Sequence, residues 1–260
     1  MINMAEEQNQ SGRRLKSVDR AFDIIDYLRT EGPATLSEIA DTFEMPMSTA
    51  HIHLSTLVST GYIVKEEGQY RCGLRFLRTG GAIRDSMSLF RVAKSEVDDL
   101  QQTVGEIANL ATMEDWHMVQ LYKSESQESI DDNAPLGAHL YLHATANGKA
   151  MLAELPDSTI NELVSEIGLP AATGETITTE EHLREDLEMT RERGYAVNRE
   201  EHFAGVCAIA VPIISKSGSV LGAISVSGPL SRMSPDRIEE DLVPQLSEKR
   251  NLIELKLQQL

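Results

Sequence analysis

The sequence predicts an α+β protein in two parts: an N-terminal winged helix-turn-helix and a larger C-terminal mixed α/β domain with an antiparallel sheet. Three observations carry this. Three short stretches of helical periodicity and two strand-like runs follow one another within residues 13–79. Period-two apolar alternation then recurs at 108–113, 116–123, 195–198, 206–214 and 219–227, with helical stretches between. Finally, 260 residues suffice for one small and one medium core. Residues 1–12 are polar and aperiodic and read as a disordered tail. The expected division is 13–79 for the first domain, 80–91 for a linker helix and 92–260 for the second domain.

Ser17 is placed to cap a first helix, with Ala21, Ile24, Ile25 and Leu28 on one face and an end before Gly32-Pro33. Thr35-Leu-Ser-Glu38 has capping-box form and opens a second helix carrying Ile39, Ala40 and Phe43. Glu44 to Met47, with Pro46, makes the turn. A third helix runs from about Ser48 to Thr60 and stops at Gly61. Tyr62–Lys65 and Gln69–Cys72 are strand-like, with Glu66-Glu-Gly68 as the tip of the wing.

From Leu74 the pattern is helical through Phe76, Leu77 and Ile83, weakened by Gly80-Gly81. A helix at about 90–104 follows, then strands paired across Glu114-Asp115 and a polar loop at 124–138 containing Asp131-Asp132. Helices are expected at 147–154, 158–167 and 180–193, the last capped by Thr179 and stopped by Gly194. The final strands turn at Lys216-Ser-Gly218, and Ser234-Pro235 starts a terminal helix.

On the third helix Ala50, Leu54, Leu57 and Val58 fall on one side and face the core. The other side carries Ser48, Thr49, Ile52, Ser55 and Thr56, flanked by His51 and His53. A merely solvated face would carry Lys and Glu. Hydroxyls bond phosphates or base edges, and an exposed isoleucine packs on a thymine methyl. Double-stranded DNA is therefore the expected partner of this face. Arg13, Arg14, Lys16, Arg71, Arg75 and Arg78 are the available phosphate partners, and Lys65 near the wing tip is another, opposed by Glu66 and Glu67.

The formal charge of −17 is unusual for a DNA binder. Its distribution explains part of this. Residues 1–80 hold nine Lys and Arg against eleven Asp and Glu, whereas residues 81–260 hold fifteen against thirty. Lysine is scarce, eight against sixteen arginines. Such a composition suits a cytoplasm of high ionic strength, as in a salt-adapted archaeon. No apolar run approaches the roughly 20 residues of a membrane span, and no charged-then-apolar leader opens the chain. A cytoplasmic protein is expected, with Cys72 and Cys207 as reduced, buried thiols. No cofactor is expected.

The chain resembles the isocitrate-lyase-regulator (IclR) family of prokaryotic transcription factors over nearly its whole length. In the first domain the resemblance rests on Ser17-Val-Asp-Arg-Ala21, Leu36-Ser-Glu-Ile-Ala40, Ser48-Thr-Ala-His51, Thr56-Leu57, Gly61-Tyr62, Tyr70 and Gly73. In the second it rests on Leu142–Ala150, Arg193-Gly-Tyr195, Glu200-Glu-His202, Gly205, Ala210-Val-Pro212 and Ser225–Pro229. The resemblance implies a GAF-like effector domain, dimers through the DNA-binding half, tetramers through the effector half, and control of carbon or aromatic catabolism. One reading helix per chain, too small alone for a specific site, adds the expectation of a palindromic operator bound by a dimer. It also implies a pocket for a small carboxylate lined by Leu140, Ala146, Asn147, Asn198, Ala208, Ser225 and Ser227. Backbone N–H groups near Gly148, at a helix start, suit an anion, and Ser225 and Ser227 fall on one side of their strand. The sequence departs from the family pattern at Ile52, where arginine is usual, at Asn198 for aspartate, and at Ala208 for cysteine.

Gly148-Lys149 lacks the glycine spacing of a phosphate loop, and no nucleophile motif surrounds any Ser or Cys, so an enzyme is not expected. A metal- or thiol-sensing regulator is the alternative. Its metal site would use His139 and His143 on one strand face, with Glu201 or His202 as a third ligand.

The composition makes a prediction of its own. Circular dichroism should show a folded chain in molar potassium chloride and a loss of structure in dilute buffer, where like charges are unscreened. An unchanged spectrum at low salt would refute the salt-adapted reading.

Overall fold

The computed structural model describes residues 15–126 and 134–260. The expected tail at 1–12, Arg13, Arg14 and the Asp131-Asp132 part of the expected loop lie outside the described residues. Contacts divide the chain into two units, Met1–Ile83 and Arg84–Leu260.

In the first unit α1 spans Lys16–Thr30. Ser17 does not cap it: the residue lies inside the helix, and Leu15 stands at its start without a side-chain cap. Strand β1 (Ala34–Thr35) was not legible, because two residues carry no periodicity. Thr35 then caps α2 (Leu36–Thr42) with the full capping box, its hydroxyl accepting from the Glu38 N–H while Glu38 accepts from the Thr35 N–H. The Thr35 N–H and the Thr35 hydroxyl both donate to Glu38 Oε2, and these two bonds hold the Glu38 carboxyl below its usual range. Helix α3 (Met47–Ser59) begins at Met47, one residue earlier than expected, directly after Pro46. The wing is β2 (Ile63–Glu66) with β3 (Gln69–Cys72), and β3 lies between β1 and β2. Ile24, Leu28, Ile39, Leu54, Leu57, Ile63 and Tyr70 form the core.

Residues 80–91 are not a single linker helix. Helix α4 (Arg75–Ser86) runs through Gly80-Gly81, the chain breaks at Met87, and α5 (Ser88–Val104) follows. Leu89 and Phe90 are buried in the core of the second unit, so α5 belongs to that core from its first turn.

The second unit is a six-stranded antiparallel sheet between helices. Its strands are β4 (Ile107–Glu114), β5 (His117–Ser124), β6 (His139–Tyr141), β7 (Ala196–Arg199), β8 (Val206–Ile214) and β9 (Val220–Pro229). Their order is β6-β5-β4-β9-β8-β7. Between them come α6 (Ala146–Ala153), α7 (Asp157–Glu166) and α8 (Glu180–Arg193). The chain ends in α9 (Pro235–Arg237), a π-turn at Ile238–Leu242 and α10 (Val243–Leu257), with Ser234 capping as expected.

Alternation makes the two sheet faces chemically different. Leu110, Ile209, Val211, Ile213, Ile224 and Val226 point to one face and pack against Val97 and Leu100 of α5 and Leu246 and Ile253 of α10. Ala111, Ala196, Ala210 and Ala223 point to the other, under α6, α7 and α8. Small residues let α6 approach closely. A Cβ on Gly148 would run into the backbone of Leu142, so only glycine fits there.

Candidate functional site

Helix α3 presents its polar side to solvent. Ser48, Thr49, His51, Ser55 and Thr56 are exposed, His53 is half-buried, and Ile52 is 66% exposed while Ala50, Leu54 and Leu57 are buried. Not every hydroxyl is available. Thr56 Oγ1 donates to the Ile52 carbonyl at 2.9 Å, and Ser55 Oγ lies 3.4 Å from His51 Nδ1. Ser48 and Thr49 stand at the start of the helix, which has neither a side-chain cap nor an acidic residue in its first turn. The positive end of the helix dipole is thus open toward the solvent side.

The expected phosphate partners fare unequally. Lys16 and Arg78 are exposed. Arg71 is engaged on the wing itself, with Nη2 at 2.9 Å and Nε at 3.0 Å from Glu66 Oε2. Arg75 donates to the Thr60 carbonyl and lies over the Tyr62 ring at 5.3 Å, so it braces α4 against the end of α3. Lys65 lies over the Tyr70 ring at 5.2 Å.

In the second unit all seven residues named for the small-molecule pocket line one cavity of about 60 Å³. They arrive from four places. Leu140 comes from β6 and Ala146 and Asn147 from the first turn of α6. Asn198, Ala208 and Ser227 form one cross-strand row on β7, β8 and β9. Ser225 stands in the next row, opposite Asn109 on β4 and Ala210 on β8. Val226 between the serines faces the opposite core, as does Cys207 beside Ala208.

Reading the residues missed four further polar groups on this cavity: Asn109, Gln120, Thr145 and His202. The signal for the first two was present, since each interrupts an apolar strand. Asn109 Nδ2 donates to Ser227 Oγ at 3.1 Å, Gln120 Nε2 donates to Asn109 Oδ1 at 2.8 Å, and Asn147 Nδ2 donates to Ser225 Oγ at 3.0 Å. Asn147 is 5% exposed, and its Oδ1 is buried with no hydrogen-bond partner among the described residues. Leaving such an acceptor unmet costs about 1–3 kcal/mol, which a bound donor would recover. The lining therefore combines amide and hydroxyl groups with the apolar Met118, Leu140 and Phe203. The Gly148 N–H is not open to an anion as expected: it donates to Thr145 Oγ1, the cap of α6.

Two other expectations are corrected. His139 and His143 do not share a strand face, because β6 ends at Tyr141 and His143 sits in a 3-10 turn at Leu142–Ala144. His143 is buried, its Nε2 is 3.1 Å from the Pro170 carbonyl, and burial holds its imidazole below the ordinary value. Cys72 is half-buried rather than buried, while Cys207 is fully enclosed and burial pushes its thiol up.

Both units match known families. Residues 17–67 match the IclR helix-turn-helix domain, and residues 82–253 match the bacterial transcriptional regulator IclR C-terminal domain. The chain belongs to the IclR family. It is 31% identical over 254 residues to the "Probable HTH-type transcriptional regulator ArcR" of Halobacterium salinarum, covering 96% of this chain and 97% of that protein. Among solved structures it is similar to the IclR protein of Thermotoga maritima, with 29% identity and a TM-score of 0.82 over 94% of this chain and 100% of that one. It is also similar to an IclR homologue of Microbacterium hydrocarbonoxydans in complex with 4-hydroxybenzoate, with 30% identity and a TM-score of 0.79 over 94% and 98%. As an IclR-family regulator the chain pairs a DNA-binding helix-turn-helix domain with a C-terminal effector-binding domain, and its mixed sheet-and-helix layering is GAF-like in outline.

The wing ion pair generates a prediction. Glu66→Gln should release Arg71 to a phosphate, tightening DNA binding alike on all sequences and steepening the slope of log affinity against log salt by about one. Binding measured across a salt series checks this. An unchanged slope would mean that Arg71 stays on the wing.

Proposed function

We propose that this IclR-family regulator binds a (pseudo)palindromic operator as a homodimer and releases or tightens on it when a small organic molecule enters the cavity of the second domain. The ligand is carboxylate-bearing or aromatic. The observation that carries the reading is the convergence of one sheet face and the α6 N-terminus on a cavity holding a buried, unmet amide oxygen at Asn147. The relative bound to 4-hydroxybenzoate supports the ligand class. The pocket residues Leu140, Ala146, Asn147, Asn198, Ala208, Ser225 and Ser227 are the proposed effector contacts.

Dimerisation is supported by a set of exposed apolar residues in the first unit: Leu15, Val18 and Phe22 near and on α1, with Leu74, Leu77 and Ile83 near and on α4. Such residues are costly to leave in water. One reading helix per chain also asks for a second. A further pairing of dimers through the effector domains is proposed with it. We place the protein in the cytoplasm, of a salt-adapted cell, and assign it no catalytic role. Among the described residues no helix is long and apolar enough to cross a membrane. The metal- or thiol-sensing alternative is weakened by the separated imidazoles and by Cys207, which faces away from the cavity.

Within α3, Ser48, Thr49 and Ile52 are proposed as the reading residues, with His51, His53, Ser55 and Thr56 beside them. Ile52→Ala should weaken discrimination at one base pair of each half-site by about 1 kcal/mol, because a thymine-methyl contact is lost. Binding to a panel of operator variants tests it, and an unaltered base preference would reassign Ile52 to packing.

Ser225→Ala combined with Ser227→Ala should abolish the ligand response and leave ligand-free operator binding intact, since the two sites are linked only by a coupling free energy. Operator titrations with and without 4-hydroxybenzoate and small carboxylates measure this. A response that survives in the double variant would move the effector site elsewhere.

A further inference from the structure

Lys149 has no exposed surface. It stands on α6, two residues beyond Asn147. Its Nζ is 2.8 Å from Glu201 Oε1 and 3.1 Å from Asp186 Oδ2 of α8. Two carboxylates thus share one ammonium, and their side chains are only 10% and 15% exposed. The cluster carries a net negative charge where charge is expensive. Glu201 Oε2 has no hydrogen-bond partner among the described residues.

The cluster touches the cavity wall directly. The Glu201 N–H donates to Oδ1 of Asn198, which lines the cavity, and the next two residues, His202 and Phe203, line it too. The wall segment is held from outside as well. Thr176 Oγ1 donates to the Glu201 carbonyl and Thr173 Oγ1 to the Glu200 carbonyl. Among the described residues the cavity lining holds no Lys, Arg, Asp or Glu, and the Lys149–Glu201–Asp186 cluster stands directly behind it, joined through Asn198.

We propose that Glu201, clamped by a Lys149 that it shares with Asp186, is the positioning residue of the effector cavity, and that an anion entering the cavity is bound together with one proton from solvent, taken up by the Glu201 carboxylate. The inference rests on the effector reading of this cavity. An anion beside a net negative cluster is disfavoured, and protonating Glu201 neutralises the cluster while Lys149 keeps Asp186 as its partner. Burial pushes the Glu201 carboxyl up, Lys149 opposes the shift and Asp186 adds to it. The proton therefore binds above the usual carboxylate range. Binding of anion and proton is reciprocal, so anion affinity rises as pH falls. The other titratable groups around the cluster are His143, His202, Arg199, Glu200 and Cys207. His202 is the one that also lines the cavity, and it must be separated from Glu201.

Acetate and its neutral isostere acetamide serve as probes on the full chain, with binding read from NMR signals of Asn147 and Ser225. Acetate affinity should rise as pH falls toward the Glu201 titration, by at most about tenfold per pH unit for one linked proton. Acetamide should show no such rise. Glu201→Gln keeps an acceptor for Lys149 and should flatten the acetate profile. In the unaltered protein, the Glu201 carboxyl signal should titrate at higher pH with acetate present than without it. An acetate profile as steep in Glu201→Gln as in the parent would overturn the proposal and assign the proton to His202. A Glu201 titration indifferent to acetate would overturn it as well. If neither probe moved Asn147 or Ser225 at any pH, the effector reading of the cavity would itself fall, and the proposal with it.

Discussion

The second domain depends on how closely α6 packs against its neighbours. Gly148 meets the backbone of the Leu142–Ala144 turn with no room for a Cβ, and the sheet beneath α6 offers alanines where the opposite face offers isoleucine and valine. Close packing is what makes interiors sensitive to a single methylene. Here the packing is tight along the middle of α6, where Ala150 and Met151 are fully buried, and it opens at the first turn. The cavity is the space left where asparagine, serine and alanine replace larger side chains. Because the backbone is pinned at the next residue, Gly148, and Asn147 Nδ2 donates to Ser225 Oγ, the Asn147 amide is held in place.

That placement has an electrostatic counterpart. The polar side of the cavity is made of neutral groups that bond one another: Gln120 to Asn109, Asn109 to Ser227, and Asn147 to Ser225. A connected network in a low-dielectric interior is stiff and specific. Fixed charge is kept one layer back, on Lys149, Glu201 and Asp186. Glu106 follows the same habit at the start of β4, buried between Arg232 at 2.6 Å and Arg237 at 2.8 Å. Glu96 does so between Lys249 and Lys256. Five cations of this domain, Lys149, Arg232, Arg237, Lys249 and Lys256, pair with buried carboxylates, where an unpaired charge would be most costly.

The first unit reads differently because its work is at the surface. Its core is small and apolar, and its exposed α3 face is nearly free of charge. Arg71 is already matched by Glu66, and such an exposed pair is worth little. What this face offers at its surface is hydroxyls, Ile52 and an open helix start rather than cationic side chains.

Much of this was legible in the sequence because helix and strand are local phenomena. A period of 3.6 or 2 over a dozen residues, a Thr35–Glu38 capping box, a Thr179 cap and a Gly194 stop report backbone preferences that do not wait for distant partners. The single-sided placement of Ser225 and Ser227 followed from alternation, whereas the other pocket positions came from resemblance to a family. Ser17 misled because a capping residue type was taken for a cap, and the expected 80–91 linker helix failed because no glycine or proline marks the break at Met87. The pairing of Lys149 with Glu201 and Asp186, and of Gln120 and Asn109 with Ser227, was decided only by the tertiary structure. These partners lie on different elements, up to 118 residues apart. No local pattern encodes which strand lies beside which, so burial and hydrogen bonding choose the neighbours when the sheet closes.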